Sequence, residues 1–197
     1  MTEDEAARFA QMLHHRKAEL AAGEPVVPPI SLATTFHLPE VQGAAHYYGR
    51  AGQPTWDAVE TQLSMLENAE AVAFPSGMAA IMAALMVTLK AGARVILPSD
   101  GYYVTRLLGR DVLGRYGVEV EEIPTREMAQ ADFTGVAVVY LETPSNPGLD
   151  VIDIAALAAK AKAAGALVIA DNTTMTPLLQ RPLDLGCDLV VAADTKA

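Results

Sequence analysis

Five short segments of this chain carry residue types able to do chemistry, and each follows an apolar run. Ser76-Gly77-Met78 is a small turn opening an apolar helical stretch. Such a turn presents free backbone amides, and the helix dipole there stabilises an anion by roughly 0.3–1 kcal/mol at an exposed terminus. Asp100-Gly101-Tyr102-Tyr103 offers a tyrosine ring that can lie on a flat heteroaromatic ligand. Glu142-Thr143-Pro144-Ser145-Asn146-Pro147-Gly148 holds Asn146, a donor to an oxygen anion, between two prolines. Asp171-Asn172-Thr173 ends an apolar run on a carboxylate, which is costly to desolvate without a cation or strong donor. Asp194-Thr195-Lys196 sets a lysine beside another buried run. A lysine there sheds its proton more readily than an exposed one, and the neutral amine attacks aldehydes.

Each segment has a plainer reading. Ser76 is an ordinary helix cap, Tyr102 and Tyr103 are packing residues, Asn146 is a turn residue, Asp171 is a cap, and Lys196 is a surface lysine. The five together are more specific than any one of them. An anion cradle, a flat ring, a lone carboxylate and a lysine are what pyridoxal phosphate requires. Its phosphate takes amides and hydroxyls, its ring nitrogen stays protonated opposite a carboxylate, and its aldehyde takes a lysine.

The elements that must position these residues alternate. Helical spacing of Phe9, Met12, Leu13 and Leu20 predicts a helix over 4–22. Prolines 25, 28 and 29 then enforce an extended arm over 23–53. A long arm of this kind suits contact with a partner or the building of a site. A helix starts at Pro54. Strands are expected at 71–74, 94–97, 118–123, 136–142, 167–170 and 189–191. Helices are expected from 76 to about 90 and over 102–116 and 152–164, the last ended by Gly165. Continuous apolar strands alternating with helices predict an α/β fold with a mainly parallel sheet covered on both faces. Ligands of such sheets bind beyond the carboxyl ends of the strands, where all five segments fall. The expected organisation is an N-terminal helix and arm over 1–53 and an α/β domain over 54–197. The chain stops a few residues after a buried strand, so it reads as the amino-terminal portion of a longer protein.

Composition excludes several classes. Of 197 residues, 24 are acidic and 14 basic, for a net charge of −10, and 51% are hydrophobic. That apolar content rules out disorder as the dominant state. The negative charge without a Lys/Arg cluster speaks against a nucleic-acid partner. No apolar run reaches the roughly 20 residues of a membrane span, and the acidic start is unlike a signal peptide. Cys187 is the only cysteine, so neither an internal disulfide nor a metal site is expected, and the reducing cytoplasm is the expected setting.

The motifs, taken in order, resemble the Cys/Met-metabolism family of pyridoxal-phosphate enzymes, the cystathionine gamma-lyase and gamma-synthase group. They are Pro28-Pro29-Ile30, Thr34-Thr35-Phe36, Tyr48-Gly49-Arg50-Ala51-Gly52-Gln53-Pro54-Thr55, Phe74-Pro75-Ser76-Gly77-Met78-Ala79-Ala80, Glu142-Thr143-Pro144-Ser145-Asn146-Pro147, Asp171-Asn172-Thr173 and Asp194-Thr195-Lys196. The resemblance implies pyridoxal-phosphate fold type I and the following roles. Lys196 would form the Schiff base and move protons at the substrate's α and β carbons. Asp171 would pair with the ring nitrogen, Tyr102 would stack on the ring and serve in proton transfer, Asn146 would bond the ring oxygen, and Thr173 would lie against the ring. Ser76, Gly77, Met78 and Thr195 would hold the phosphate. Tyr48 and Arg50 would reach the phosphate of a neighbouring subunit in a homo-oligomer, typically a tetramer.

The implied activity is gamma-elimination of a sulfur amino acid, cystathionine above all. Gamma-replacement by a cystathionine gamma-synthase or acyl-homoserine sulfhydrylase is the close alternative. A non-catalytic phosphate-binding α/β module is the alternative of another class. The chain departs from the family at Tyr103-Val104, where Gly-Gly is common, and Val104 stands where methionine gamma-lyases carry a cysteine. Ala193 replaces a serine, and Ala197 a tyrosine. The family's carboxy-terminal domain, with the arginine for the substrate carboxylate, would lie beyond Ala197. These 197 residues alone are therefore expected to be inactive.

Overall fold

The computed structural model describes residues 3–17, 19–39 and 43–196. They form two compact units, 1–73 and 74–197. The helix starting at Pro54 thus groups with the arm, and the boundary falls at 73 rather than the expected 53.

In the first unit α1 spans Glu3–His14 and α2 spans Pro54–Glu67, and the two helices pack together. The helix expected over 4–22 stops at His14. The His15 ring Nδ1 takes the Met12 carbonyl at 2.8 Å, and Lys17 N turns back to His14 O at 2.9 Å. The carbonyl that would carry the next helical bond is therefore occupied. The arm is extended, with one antiparallel bridge between Thr35 and Tyr48. Its apolar residues Val26, Val27, Ile30 and Leu32 are exposed. The strand expected at 71–74 does not form. The Ala71 and Ala73 amides donate to α2 side chains, Ser64 Oγ at 3.0 Å and Glu60 Oε1 at 2.7 Å, so they are satisfied without a sheet.

The second unit holds five parallel strands, β1 (Arg94–Pro98), β2 (Glu119–Ile123), β3 (Val136–Glu142), β4 (Leu167–Asp171) and β5 (Leu189–Val191), in the order β2-β1-β3-β4-β5. Alternation along each strand divides the core. Val95, Leu97, Val138, Tyr140, Ile169 and Val191 face one side with Ile81 and Leu85 of α3 (Gly77–Thr88). Ile96, Val139, Leu141, Val168 and Ala170 face the other with Ile154, Leu157 and Ala161 of α5 (Ile154–Ala163). Both faces of the inner strands are covered, which is why β1, β3 and β4 are largely apolar, while the edge strand β2 carries Glu119, Glu121 and Glu122.

Two irregularities matter. Arg94 pairs with Val136 and Val95 with Val138, so Ala137 is an extra residue in β3. Val136 consequently faces the α5 side while Val138 faces the α3 side. The helix expected over 102–116 is broken into α4 (Tyr103–Leu107), a π-helical turn at Leu108–Val112 and a 3-10 turn at Leu113–Tyr116. The wide turn lies where Gly109 meets the sheet so closely that a Cβ there would sit 2.7 Å from Leu97 Cδ1. A short helix absent from the sequence reading, α6 (Thr176–Leu179), joins β4 to β5.

Candidate cofactor site

Parallel strands deliver their carboxyl ends to one edge. In that register Glu142 ending β3 lies beside Asp171 ending β4, and Asp171 lies beside Val191 ending β5. By alternation, all three belong to the α3 face.

Asp171 is 8% exposed. Its Oδ1 accepts from Thr173 N at 3.0 Å, and its Oδ2 accepts from the Tyr140 hydroxyl at 3.0 Å. Tyr140 is fully buried, and burial together with the neighbouring Asp171 charge pushes its phenol well above the ordinary range, so it stays a donor. Among the described residues Asp171 makes no ion pair. This is an oriented carboxylate lacking a cation.

The loop after β4 joins the loop after β5, for Ala193 N donates to Thr173 Oγ1 at 3.0 Å. Lys196 lies on the exposed 3-10 turn Asp194–Lys196, and its amide returns to the Ala193 carbonyl at 3.2 Å. The start of α3 meets the same loop, since a Cβ on Gly77 would stand 2.7 Å from Ala193 Cβ. Ser76 Oγ caps α3 by accepting from Ala79 N at 3.1 Å. The Gly77 and Met78 amides belong to the first helical turn, which the helix itself cannot satisfy. Asp171, Thr173, Ala193, Lys196 and Gly77 are thus linked by contacts at one edge, with Ser76, Met78 and Thr195 as their chain neighbours.

Tyr102 and Asn146 join them through a residue the sequence reading left unassigned. Glu142, 5% exposed, accepts from Tyr102 N through Oε2 at 2.7 Å and from Asn146 N through Oε1 at 2.8 Å. Burial pushes its carboxyl up to about 7. The two amide bonds oppose that shift, and the Asp171 and Asp100 charges add to it. Gly101 is required beside it, because a Cβ there would lie 2.7 Å from Glu142 Oε2. Asp100 secures the same turn by accepting from Thr125 N at 2.9 Å and Thr125 Oγ1 at 2.7 Å. Burial works against the Asp100 charge, but these bonds prevail and hold its carboxyl below the usual range. The Tyr102 ring stands edge-on to that of Tyr103, centroids 5.4 Å apart. Asn146 is exposed. A carboxylate closing an apolar strand was the available signal for Glu142, the same signal that marks Asp171. Nothing local marks Tyr140.

Tyr48 and Arg50 belong to the first unit. Both are exposed, and the Arg50 guanidinium lies 4.9 Å from the centre of the Tyr48 ring. Gly49 N donates to Thr34 O at 2.8 Å, which fixes the segment between them.

The second unit's donor set fits pyridoxal phosphate. It offers first-turn amides and Thr195 for an anion, a buried carboxylate lacking a cation among the described residues for the ring nitrogen, and a lysine on the turn that follows Ala193. The family described as Cys/Met metabolism PLP-dependent enzyme matches residues 10–197. The chain belongs to this family. Pyridoxal phosphate is the family's cofactor. The chain is 42% identical over 173 residues to the cystathionine beta-lyase of Bacillus subtilis, covering 85% of this chain and 44% of that protein. It is 37% identical over 197 residues to the L-methionine gamma-lyase of Pseudomonas putida, covering 93% and 50%. Among solved structures, the cystathionine gamma-lyase from Lactobacillus plantarum complexed with L-serine matches with a TM-score of 0.83 at 36% identity, covering 94% of this chain and 49% of that one. The chain spans about half the length of the curated relatives it matches. Among the described residues no helix is long and apolar enough to cross a membrane, and no three His, Cys, Asp or Glu side chains are placed to hold a metal. Cys187 is buried, and burial pushes its thiol up to about 12, which makes it a poor nucleophile.

Proposed function

We propose that this chain is the cofactor-holding part of a carbon–sulfur lyase that acts on a sulfur amino acid, chiefly by gamma-elimination of cystathionine. The observation that carries the reading is Asp171, buried and aimed by Tyr140 and Thr173, without a cation among the described residues and linked through Thr173 and Ala193 to the Lys196 turn.

Bound pyridoxal phosphate supplies an electron-withdrawing ring conjugated to the substrate's α carbon. Asp171 keeps the ring nitrogen protonated. Tyr140 and Thr173 hold Asp171 in place, so its charge is already oriented when the ring arrives. The Gly77 and Met78 amides, with the Ser76 and Thr195 hydroxyls, bind the phosphate at the helix terminus. Tyr102 would cover one face of the ring, Thr173 would lie against it, and Asn146 would donate to the ring oxygen. Lys196 supplies the amine that bonds the cofactor's aldehyde. With substrate bound, Lys196 Nζ would take the α proton, pass it on, and then take the β proton. Tyr102 would give a proton to the γ sulfur as it leaves in cysteine. Tyr48 and Arg50 serve a neighbouring subunit's phosphate, the planar guanidinium donating in pairs. The whole protein is then a cytoplasmic homo-oligomer whose subunits share sites.

Gamma-replacement on an acylated homoserine uses the same groups and differs in admitting a second nucleophile. The test is borohydride reduction with pyridoxal phosphate followed by peptide mapping, then turnover on cystathionine against acylated homoserine. A phosphopyridoxyl mass on Lys196 and preference for cystathionine are expected. An unlabelled Lys196 in the whole protein refutes the mechanism, and preference for acylated homoserine with a thiol makes it a replacement enzyme.

A further inference from the structure

We propose that Glu142 is a positioning residue whose carboxylate locks together the two loops that present Tyr102 and Asn146 to the cofactor. The inference rests on the reading of those two residues as cofactor contacts.

The geometry is specific. One carboxylate, closed from solvent at the end of β3, spends one oxygen on each loop: Oε2 on Tyr102 N at 2.7 Å and Oε1 on Asn146 N at 2.8 Å. These residues lie 44 positions apart in the chain, at the exits of β1 and β3. Glu142 also stands in register beside Asp171. The two ring contacts and the ring-nitrogen partner are therefore set by adjacent strand ends. Gly101 permits the approach on the Tyr102 side, where a Cβ would strike Oε2. A buried acid next to a second acid is expensive to keep charged unless its charge is used. Here both oxygens are used.

Both oxygens accept at full strength only while Glu142 is ionised. Protonation turns one into a hydroxyl, a weaker acceptor, and the bond from the amide on that oxygen weakens. The groups facing Glu142 are Asp171 from β4, Asp100 from the turn after β1, the Tyr140 phenol on β3, and the two amides themselves. The acidic neighbours and burial bring its titration to about 7. The lock therefore loosens as pH falls from 8 to 6.

The test is carried out on the whole protein with and without pyridoxal phosphate, comparing wild type with Glu142→Gln at pH 8 and pH 6. Two quantities are read: hydrogen-exchange protection factors at the Tyr102 and Asn146 amides, and the Kd of pyridoxal phosphate from absorbance titration. At pH 8, Glu142→Gln is expected to lower protection at one or both amides by about tenfold and raise Kd by a similar factor, as for one lost bond to a charged acceptor. The sheet amides of Val95 and Ile169 keep their protection. At pH 6 the variant-to-wild-type ratios approach one. Unchanged protection at both amides overturns the lock. Lowered protection with unchanged Kd overturns the positioning role while leaving the cofactor reading intact. A wild type that binds no pyridoxal phosphate overturns the cofactor reading, and this inference with it. If Glu142→Gln loses its sheet protection, wild type alone decides: the two amides must lose protection between pH 8 and 6 relative to Val95 and Ile169, and a constant ratio refutes the proposal.

Discussion

Replacing Gly77 with alanine tests whether the start of α3 and the Lys196 turn are set by one contact. The added Cβ would stand 2.7 Å from Ala193 Cβ and 3.3 Å from Ala193 Cα. Carbon atoms are comfortable at about 3.5–4.0 Å, so something must move by about 1 Å. Ala193 has no flexible side chain to swing aside, and its backbone is held by Thr173 Oγ1 and by Lys196 N. The strain therefore passes to the loop carrying Thr195 and Lys196. Overpacking of this kind costs about 1–3 kcal/mol. Against it, the lower unfolded-state entropy of alanine returns about 0.4–1 kcal/mol. The net expectation is a loss of about 1–2 kcal/mol in stability, and a shift of about 1 Å at a reacting group costs up to about 100-fold in rate. For cofactor capture, Gly77→Ala is expected to weaken pyridoxal-phosphate affinity by about tenfold, equivalent to about 1.4 kcal/mol. The assays are urea denaturation and absorbance titration of the cofactor. Adding Ala193→Gly removes the opposing methyl and should restore most of the affinity. A Gly77→Ala protein that melts no earlier and binds within twofold of wild type would refute the reasoning.

Glu142 makes stability depend on pH in a definite direction. Its carboxyl titrates at about 7 in the fold against an ordinary 4.5, so the folded chain binds the extra proton and stability declines as pH rises from 4.5 through 7. The shift corresponds to roughly 3 kcal/mol, and Glu142→Gln should remove that slope from urea midpoints taken between pH 5 and 8; an unchanged slope assigns it to another group. Tyr140→Phe takes the hydroxyl from Asp171 Oδ2 and leaves a buried carboxylate one donor short. It should lower stability at pH 7 by about 1.5–3 kcal/mol in urea denaturation, and a variant as stable as wild type removes Tyr140 from the site's support.

The inner strands were legible because each is an apolar run bounded by glycine, proline or a charged residue, and because a parallel sheet covered on both faces demands such runs; the edge strand β2, Glu119–Ile123, carries Glu119, Glu121 and Glu122 and is not such a run. Val136–Glu142 and Leu167–Asp171 leave no other reading. Four of the five candidate segments follow strands of this sheet, and parallel strands bring their exits to one edge; Ser76–Met78 follows no strand, and Gly77 meets that edge through Ala193. What stayed hidden depends on partners distant in sequence. Val72 and Phe74 suit a strand, but helix side chains satisfy the amides around them. His15 fits the helical pattern, yet its ring ends the helix by capturing a carbonyl. The wide Leu108–Val112 turn falls where Gly109 packs close to Leu97, a contact no periodicity encodes. Tyr140 reads as core, and its hydroxyl acquires meaning only when β4 lies alongside.

The extra residue at Ala137 gives β3 a parity. Counting from Val138, the even positions carry Tyr140 and Glu142 toward Asp171, while the odd ones, Val139 and Leu141, go to the α5 side. Residues 124–135 precede this phase shift, so gaining or losing one there leaves the count from Val138 intact, although it displaces the Thr125 bonds to Asp100 and the buried Met128 and Phe133. Between 138 and 142 the same single-residue change inverts the count. It would deliver Leu141 to the Asp171 edge and bury Glu142 among the side chains of α5. A change of one residue between 138 and 142 therefore exchanges the two faces of the sheet, whereas one before the phase shift leaves the face of every later residue unchanged.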